Sequence, residues 1–172
     1  MPGSAPRPLL FLDVDGPLIP FGPRPGPYPA YPVDAAHGAG GNPLLARIAP
    51  RHGARIAALP CEPVWATTWG EDANTWISPI LGLPPLPVLD EPEPSVTDDQ
   101  DARAGRHWKT RALVARAAGR PFAWVDDEIT AADRSWVAGH HCAPALLHRV
   151  DPAIGLTDGD WTALARWLRD PH

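Results

Sequence analysis

Apolar and polar positions alternate along this chain in short blocks rather than long stripes. Leu9-Leu10-Phe11-Leu12 is an unbroken apolar run, the pattern of a strand buried on both faces of a parallel sheet. It stops at Asp13-Val14-Asp15-Gly16-Pro17. From Pro17 to Pro43 prolines and glycines break every period, which predicts a long irregular loop with room for a short hairpin. RHGARIAAL at 51–59 predicts a short helix, and PVWAT at 63–67 a second buried strand. The spacing of Trp76, Ile77, Ile80 and Leu81 predicts a helix over 72–81. Leu86 to Leu89 fits a third strand, and the acidic run from Asp90 to Arg106 a solvated loop. Trp108 to Ala118 is a helix of Ala, Arg and Leu, followed by a fourth strand, Phe122 to Val125, that ends in Asp126-Asp127. Thr130, with Asp133 three residues on, predicts a capped helix to about Ala138. Ala145 to His148 is a fifth strand. Thr157 and Asp160 cap a last helix whose apolar stripe is Trp161, Leu164, Ala165 and Leu168.

Strands that alternate with helices predict an α/β class with a central, mostly parallel sheet of about five strands. A length of 172 residues suits one domain, expected over 1–172 with the Pro/Gly-rich segment at about 17–50 as a flap. No repeat at a 20–50 residue period is visible.

Composition sharpens two points. The 24 prolines and 15 glycines require long irregular segments. Among the 15 basic residues Lys109 is the only lysine, and a lysine kept among arginines suggests a place for a compact ammonium. A net charge of −5 argues against broad coating of nucleic acid but leaves room for a local basic groove. The apolar runs are too short for a membrane span, so no membrane partner is expected. The first residues lack the basic and small-residue features of a secretory leader. Two cysteines, Cys61 and Cys142, are too few for a disulfide framework, so a cytoplasmic location is the default.

In an open parallel sheet, ligands bind outside the carboxyl ends of the strands. There the first strand ends in Asp13 and Asp15, the second in Thr67 and Thr68, and the fourth in Asp126 and Asp127, while Lys109 opens the preceding helix. Four carboxylates in one cleft repel by several kcal/mol at an effective dielectric of about 20. A hard divalent cation with oxygen ligands, commonly Mg²⁺, resolves that repulsion and suits an anionic phosphoryl group. Asp13 and Asp15, two residues apart, point to the same side of the pleat.

LLFLDVDGPL, the Thr67 strand end, Lys109 and FAWVDD resemble the four signatures of the haloacid-dehalogenase-like (HAD) phosphohydrolases, in the family's order. The resemblance implies a three-layer Rossmann-like fold and a phosphatase that uses Mg²⁺. It implies that Asp13 is the nucleophile and forms an aspartyl-phosphate, and that Asp15 is the general acid and then base. Thr67 would hold the transferring phosphoryl group and Lys109 would neutralise charge beside Asp13. Asp126 and Asp13 would ligate the metal, with Asp127 helping directly or through water and the carbonyl of Asp15 as a further ligand. Gly16, Thr68 and Arg111 are candidate substrate contacts. An acid at 15 marks phosphatases and phosphomutases rather than dehalogenases or ion pumps. Pro17 departs from the usual Thr or Val after the motif and puts the turn at Gly16 in question.

Insertions that would form a cap fall at 17–50 and about 90–107, both too short for a folded α/β cap. A nearly capless member suits a large substrate. HAD domains of this kind occur in RNA-repair proteins, so the substrate is a small phosphorylated metabolite or the phosphate of a nucleotide or nucleic-acid end. The competing class is a catalytically silent HAD-like binding module, marked by loss of Asp13, Asp15, Lys109 or Asp126; all four are present. A calcium loop at DVDG is disfavoured by Pro17 and Leu18. His140, His141 and Cys142 lack partners spaced for a zinc site. Arg103, Arg106, His107 and Arg111 form either a phosphate rim or an ordinary helix surface.

Overall fold

The computed structural model describes residues 6–33, 42–91 and 95–172. The sheet has four parallel strands: β1 (Leu9–Leu12), β2 (Glu62–Trp65), β3 (Phe122–Asp126) and β4 (Ala145–Arg149), in the order β2-β1-β3-β4. Leu9 is in register with Glu62 on one side and Phe122 on the other. The predicted strand at Leu86–Leu89 is a correction, because it contributes a single bridge between Val88 and Trp65. Pro84, Pro85 and Pro87 remove the N–H groups a ladder needs, so among the described residues the sheet has four strands rather than about five.

Alternation along the strands builds two cores. Leu10, Leu12, Trp65, Ala123 and Val125 face one side, and Leu9, Phe11, Val64, Phe122 and Trp124 the other. The first side packs against α1 (Arg51–Ala57), α2 (Ser78–Leu81) and α6 (Asp158–Arg169). The second packs against α4 (Lys109–Ala117) and α5 (Ala131–His140). Three layers result, as the family resemblance implies, around the parallel sheet that the strand–helix alternation predicts. Gly53 of α1 lies so close to α2 that a Cβ there would meet the Leu81 carbonyl at 1.7 Å. The helix predicted over 72–81 is a π turn at Ala73–Ile77 running into α2.

Both Thr capping boxes form as expected, at Thr130/Asp133 and Thr157/Asp160. The acidic run differs from expectation. Ser95 and Asp98 make a third capping box that starts α3 (Val96–Arg103), so this stretch is a helix and not a loop; residues 92–94 lie outside the described residues. Of the predicted flap, residues 34–41 lie outside the described residues. The remainder holds one 3-10 turn at Pro43–Arg47 and no strand or cap domain. Among the described residues no helix is long and apolar enough to cross a membrane.

Candidate active site

The chain leaves β1 toward β2 on one side and later crosses to β3 on the other. The carboxyl ends of β1 and β3 therefore frame a switch-point crevice, where parallel sheets bind ligands. Asp13 follows β1 and Asp126 closes β3, and the Asp13 N–H donates to Val125 O at 3.0 Å. Lys109, the first residue of α4, reaches between them: its Nζ lies 2.9 Å from Asp13 Oδ2 and 2.7 Å from Asp126 Oδ2. Lys109 is only 2% exposed, so the ammonium exchanges its hydration for two carboxylates. Burial works to lower its pKa, but Asp13 and Asp126 together outweigh that and raise it. The lysine is charged.

Burial pushes the Asp13 carboxyl up to about 7, opposed by Lys109 and assisted by Asp126. Asp127 is pushed up to about 6, by burial first and then by Asp126. Asp13, Asp126 and Asp127 each offer an oxygen within 4.8 Å of the others. Three carboxylates against one ammonium leave an excess of negative charge, which fits a divalent cation with oxygen ligands. Burial is the main reason Asp13 and Asp127 hold their protons more tightly, and the neighbouring Asp126 charge adds to it.

Gly16 makes this packing possible. Its φ is +89°, and a Cβ there would lie 2.6 Å from Asp127 Oδ1. The Pro17 departure leaves the turn intact: Gly16 N–H donates to Ile19 O, and the Leu18 and Ile19 N–H groups both donate to Val14 O. None of these bonds uses position 17 as donor.

Asp15 stands apart from the cluster. Its Oδ2 accepts from the Trp69 indole Nε1 at 3.0 Å, while Thr67 is buried with Oγ1 accepting from Trp69 N–H at 3.3 Å. Thr68 is exposed beside it. The carboxylates close enough together to hold a cation are those of Asp13, Asp126 and Asp127, and the Asp15 side chain is held by Trp69. Arg111 also stands apart. It is paired with Asp101 through Nε (2.6 Å) and Nη2 (2.8 Å) and lies over the Trp136 ring. Two residues beyond Lys109, it sits on another face of α4. Arg106 joins it on Asp101, and Arg111, ahead of Arg106, holds that carboxyl down to about 2. These arginines clamp α3 to α4, the helix-surface alternative.

Composition and spacing gave no sign of how Lys109 is held in place. His107 Nδ1 accepts the Lys109 N–H at 3.1 Å and its Nε2 faces Glu128 Oε2 at 3.1 Å, so the imidazole caps the helix that carries the lysine. Buried Asp133 accepts from His107 N–H (2.7 Å) and Thr110 Oγ1 (2.6 Å) while capping α5, which ties the starts of α4 and α5 together. Trp124 Nε1 donates to Asp126 Oδ2 at 3.2 Å. The Thr130–Asp133 box was the one legible trace of this network.

No curated protein and no solved structure is similar enough to match this chain. One family profile does match, described as the HAD domain in Swiss Army Knife RNA repair proteins, over residues 9–161. That span runs from β1 into α6 and contains every strand and each residue of the carboxylate–lysine cluster, and so the chain belongs to this family of HAD domains.

Proposed function

We propose that this protein is a Mg²⁺-dependent phosphohydrolase that cleaves a phosphate monoester through an aspartyl-phosphate on Asp13. The observation that carries the reading is the buried Asp13–Lys109–Asp126 bridge with Asp127 beside it. It sets a carboxylate nucleophile against a fixed ammonium where a phosphoryl group's charge needs balancing. Asp13, Asp126 and Asp127 would hold the cation, together with the Asp15 carbonyl. Bound there, Mg²⁺ supplies positive charge that makes the crevice receptive to an anion.

An Asp13 carboxylate oxygen forms a bond to phosphorus as the ester oxygen leaves, and Asp15 gives that oxygen its proton. Asp15, now a carboxylate, takes a proton from water, whose oxygen attacks phosphorus and displaces Asp13. Alcohol and inorganic phosphate are the products. Thr67 binds a phosphoryl oxygen, with Thr68 and the Gly16 backbone at its edge. Lys109 offsets the charge that builds between Asp13 and phosphorus.

The substrate class that fits best is a phosphate at a nucleic-acid end. Family membership supports this, as does the segment after β1, whose described part forms no cap domain that would enclose a small metabolite. Free Cys61 and Cys142 suit a reducing, cytoplasmic setting. Hydrolysis of an aryl phosphate with Mg²⁺ and with excess chelator tests the metal. Acid-quench labelling tests the nucleophile, with label expected on Asp13 and absent from Asp13→Asn. Full turnover in chelator, or label on another residue, refutes the mechanism. No turnover on any phosphate monoester leaves the silent binding module.

A further inference from the structure

The segment after the Asp13–Asp15 motif gathers arginines against tyrosines at the same end of the sheet as the crevice. A cavity of about 70 Å³ is lined by Arg24, Arg47, Arg51, Tyr31 and His52, with the Pro17–Leu18 turn as one wall, and no carboxylate lines it. Its walls come from the loop after β1, the start of α1 and the loop after β4. The loops follow strands, and α1 runs back toward the start of β2, so all three lie at the carboxyl ends.

The arginines are pre-arranged. Arg24 and Arg47 place their guanidinium carbons 4.9 and 4.2 Å from the centroid of the Tyr28 ring. Arg47 Nη1 donates to Pro20 O at 2.8 Å, and the Tyr28 hydroxyl donates to Gly22 O at 2.6 Å, which fixes that pair in the loop. Arg51 Nη1 donates to the Tyr31 hydroxyl at 2.9 Å. His52 adds no charge: its Nδ1 accepts from Trp161 Nε1, and burial, with Arg51 and Arg55 nearby, brings its pKa down to about 4. In a chain of net charge −5, three guanidinium groups around one cavity free of carboxylates make a local anion site. Guanidinium forks match phosphate oxygens, and the half-buried Tyr28 and Tyr31 hold those forks around the cavity.

We propose that the Arg24–Arg47–Arg51 pocket binds the phosphodiester backbone of a single-stranded nucleic acid whose terminal phosphate enters the Asp13 crevice. The proposal rests on the nucleic-acid-end reading above and deepens it. Reach is adequate: Leu18 is three residues from Asp15, at most about 11 Å of chain, or roughly three stacked nucleotides at about 3.4 Å each.

The test is equilibrium binding of labelled, end-phosphorylated single-stranded decamers of RNA and of DNA to the full chain in chelator, by fluorescence anisotropy across a salt series. Three phosphate contacts predict a slope of log affinity against log salt near −2, since each single-strand contact contributes about −0.7. Arg24→Gln with Arg51→Gln should weaken binding at least tenfold, flatten the slope by about 1.4, and leave hydrolysis of an aryl phosphate unchanged. Arg47→Gln is a third step, checked by circular dichroism because Arg47 also holds Pro20. Wild-type affinity and slope in the double variant overturn the proposal. So does a wild-type chain with no salt-dependent binding, or a mononucleotide that binds as tightly as the decamer. Strand binding that persists while the wild-type chain hydrolyses no monoester refutes the phosphatase reading and leaves the pocket standing.

Discussion

Lys109 offers the sharpest test of the site, because its replacement touches stability and turnover through one charge. The ammonium is 2% exposed and lies 2.7–2.9 Å from two carboxylates. At an effective dielectric of about 20, each contact is a gross attraction of about 6 kcal/mol. Desolvation offsets much of that, but removing one partner of a buried pair leaves uncompensated charge and costs about 3–5 kcal/mol. Lys109→Met should therefore lower Tm by about 10 °C at pH 8 in chelator. The loss should be smaller at pH 5, where Asp13 and Asp127 take up protons, and Mg²⁺ should recover part of it at pH 8. Lys109→Arg keeps a charge but brings a broad, forked head into a space bounded by Asp13, Asp126 and the Trp124 indole. Its turnover should fall about 10²–10³-fold, like that of Lys109→Met. Arg116→Lys, on the exposed face of α4, should be silent and is a better control than Arg111, which is tied to Asp101. Thermal unfolding at both pH values and steady-state hydrolysis of an aryl phosphate read the outcome. A Tm shift under 2 °C at pH 8, or near-wild-type turnover in Lys109→Arg, refutes the buried bridge as the centre of the site.

Proton and metal should compete. Folding raises the pKa of Asp13 to about 7 and of Asp127 to about 6 from 3.8, so the stability their protonation contributes is complete below about pH 4 and is lost as pH rises through 6–7. Mg²⁺ should then raise Tm more at pH 8 than at pH 5, and equal shifts in scanning calorimetry would contradict this. Gly16→Ala brings a Cβ to 2.6 Å from Asp127 Oδ1 at a φ of +89°. It should cost about 1–3 kcal/mol and weaken Mg²⁺ binding measured by titration calorimetry; unchanged affinity would separate Asp127 from the metal set. Trp69→Phe keeps the ring but removes the donor to Asp15. It should slow alkyl phosphates about tenfold and spare aryl phosphates, whose leaving group needs no proton, and equal effects on both would remove Trp69 from the handling of Asp15.

The parts of this protein legible from its sequence are those set by neighbours along the chain. The LLFL run, the paired acids after it and the Thr-x-x-Asp boxes rest on side-chain alternation and hydrogen bonds within three residues, which a local pattern specifies. The order of the four signatures was enough to place Asp13, Lys109 and Asp126 at one end of a parallel sheet. Ser95 and Asp98 carried the same cap signal. The charge of the run concealed that Asp101, held by Arg106 and Arg111 from outside α3, makes it a helix worth forming. Leu86–Leu89 had the apolar pattern of a strand, but prolines deny it a ladder.

Only the tertiary structure decided who serves whom. Trp69 reaches Asp15 across 54 residues. His107 and Asp133 come together to hold the start of α4, and the arginines between 24 and 51 meet around one cavity. Arg111 turned to Asp101 although it follows Lys109 by two positions. A charged side chain buried in a fold takes the partner that packing brings within about 3 Å, and that distance is fixed by how strands and helices stack rather than by their separation in sequence.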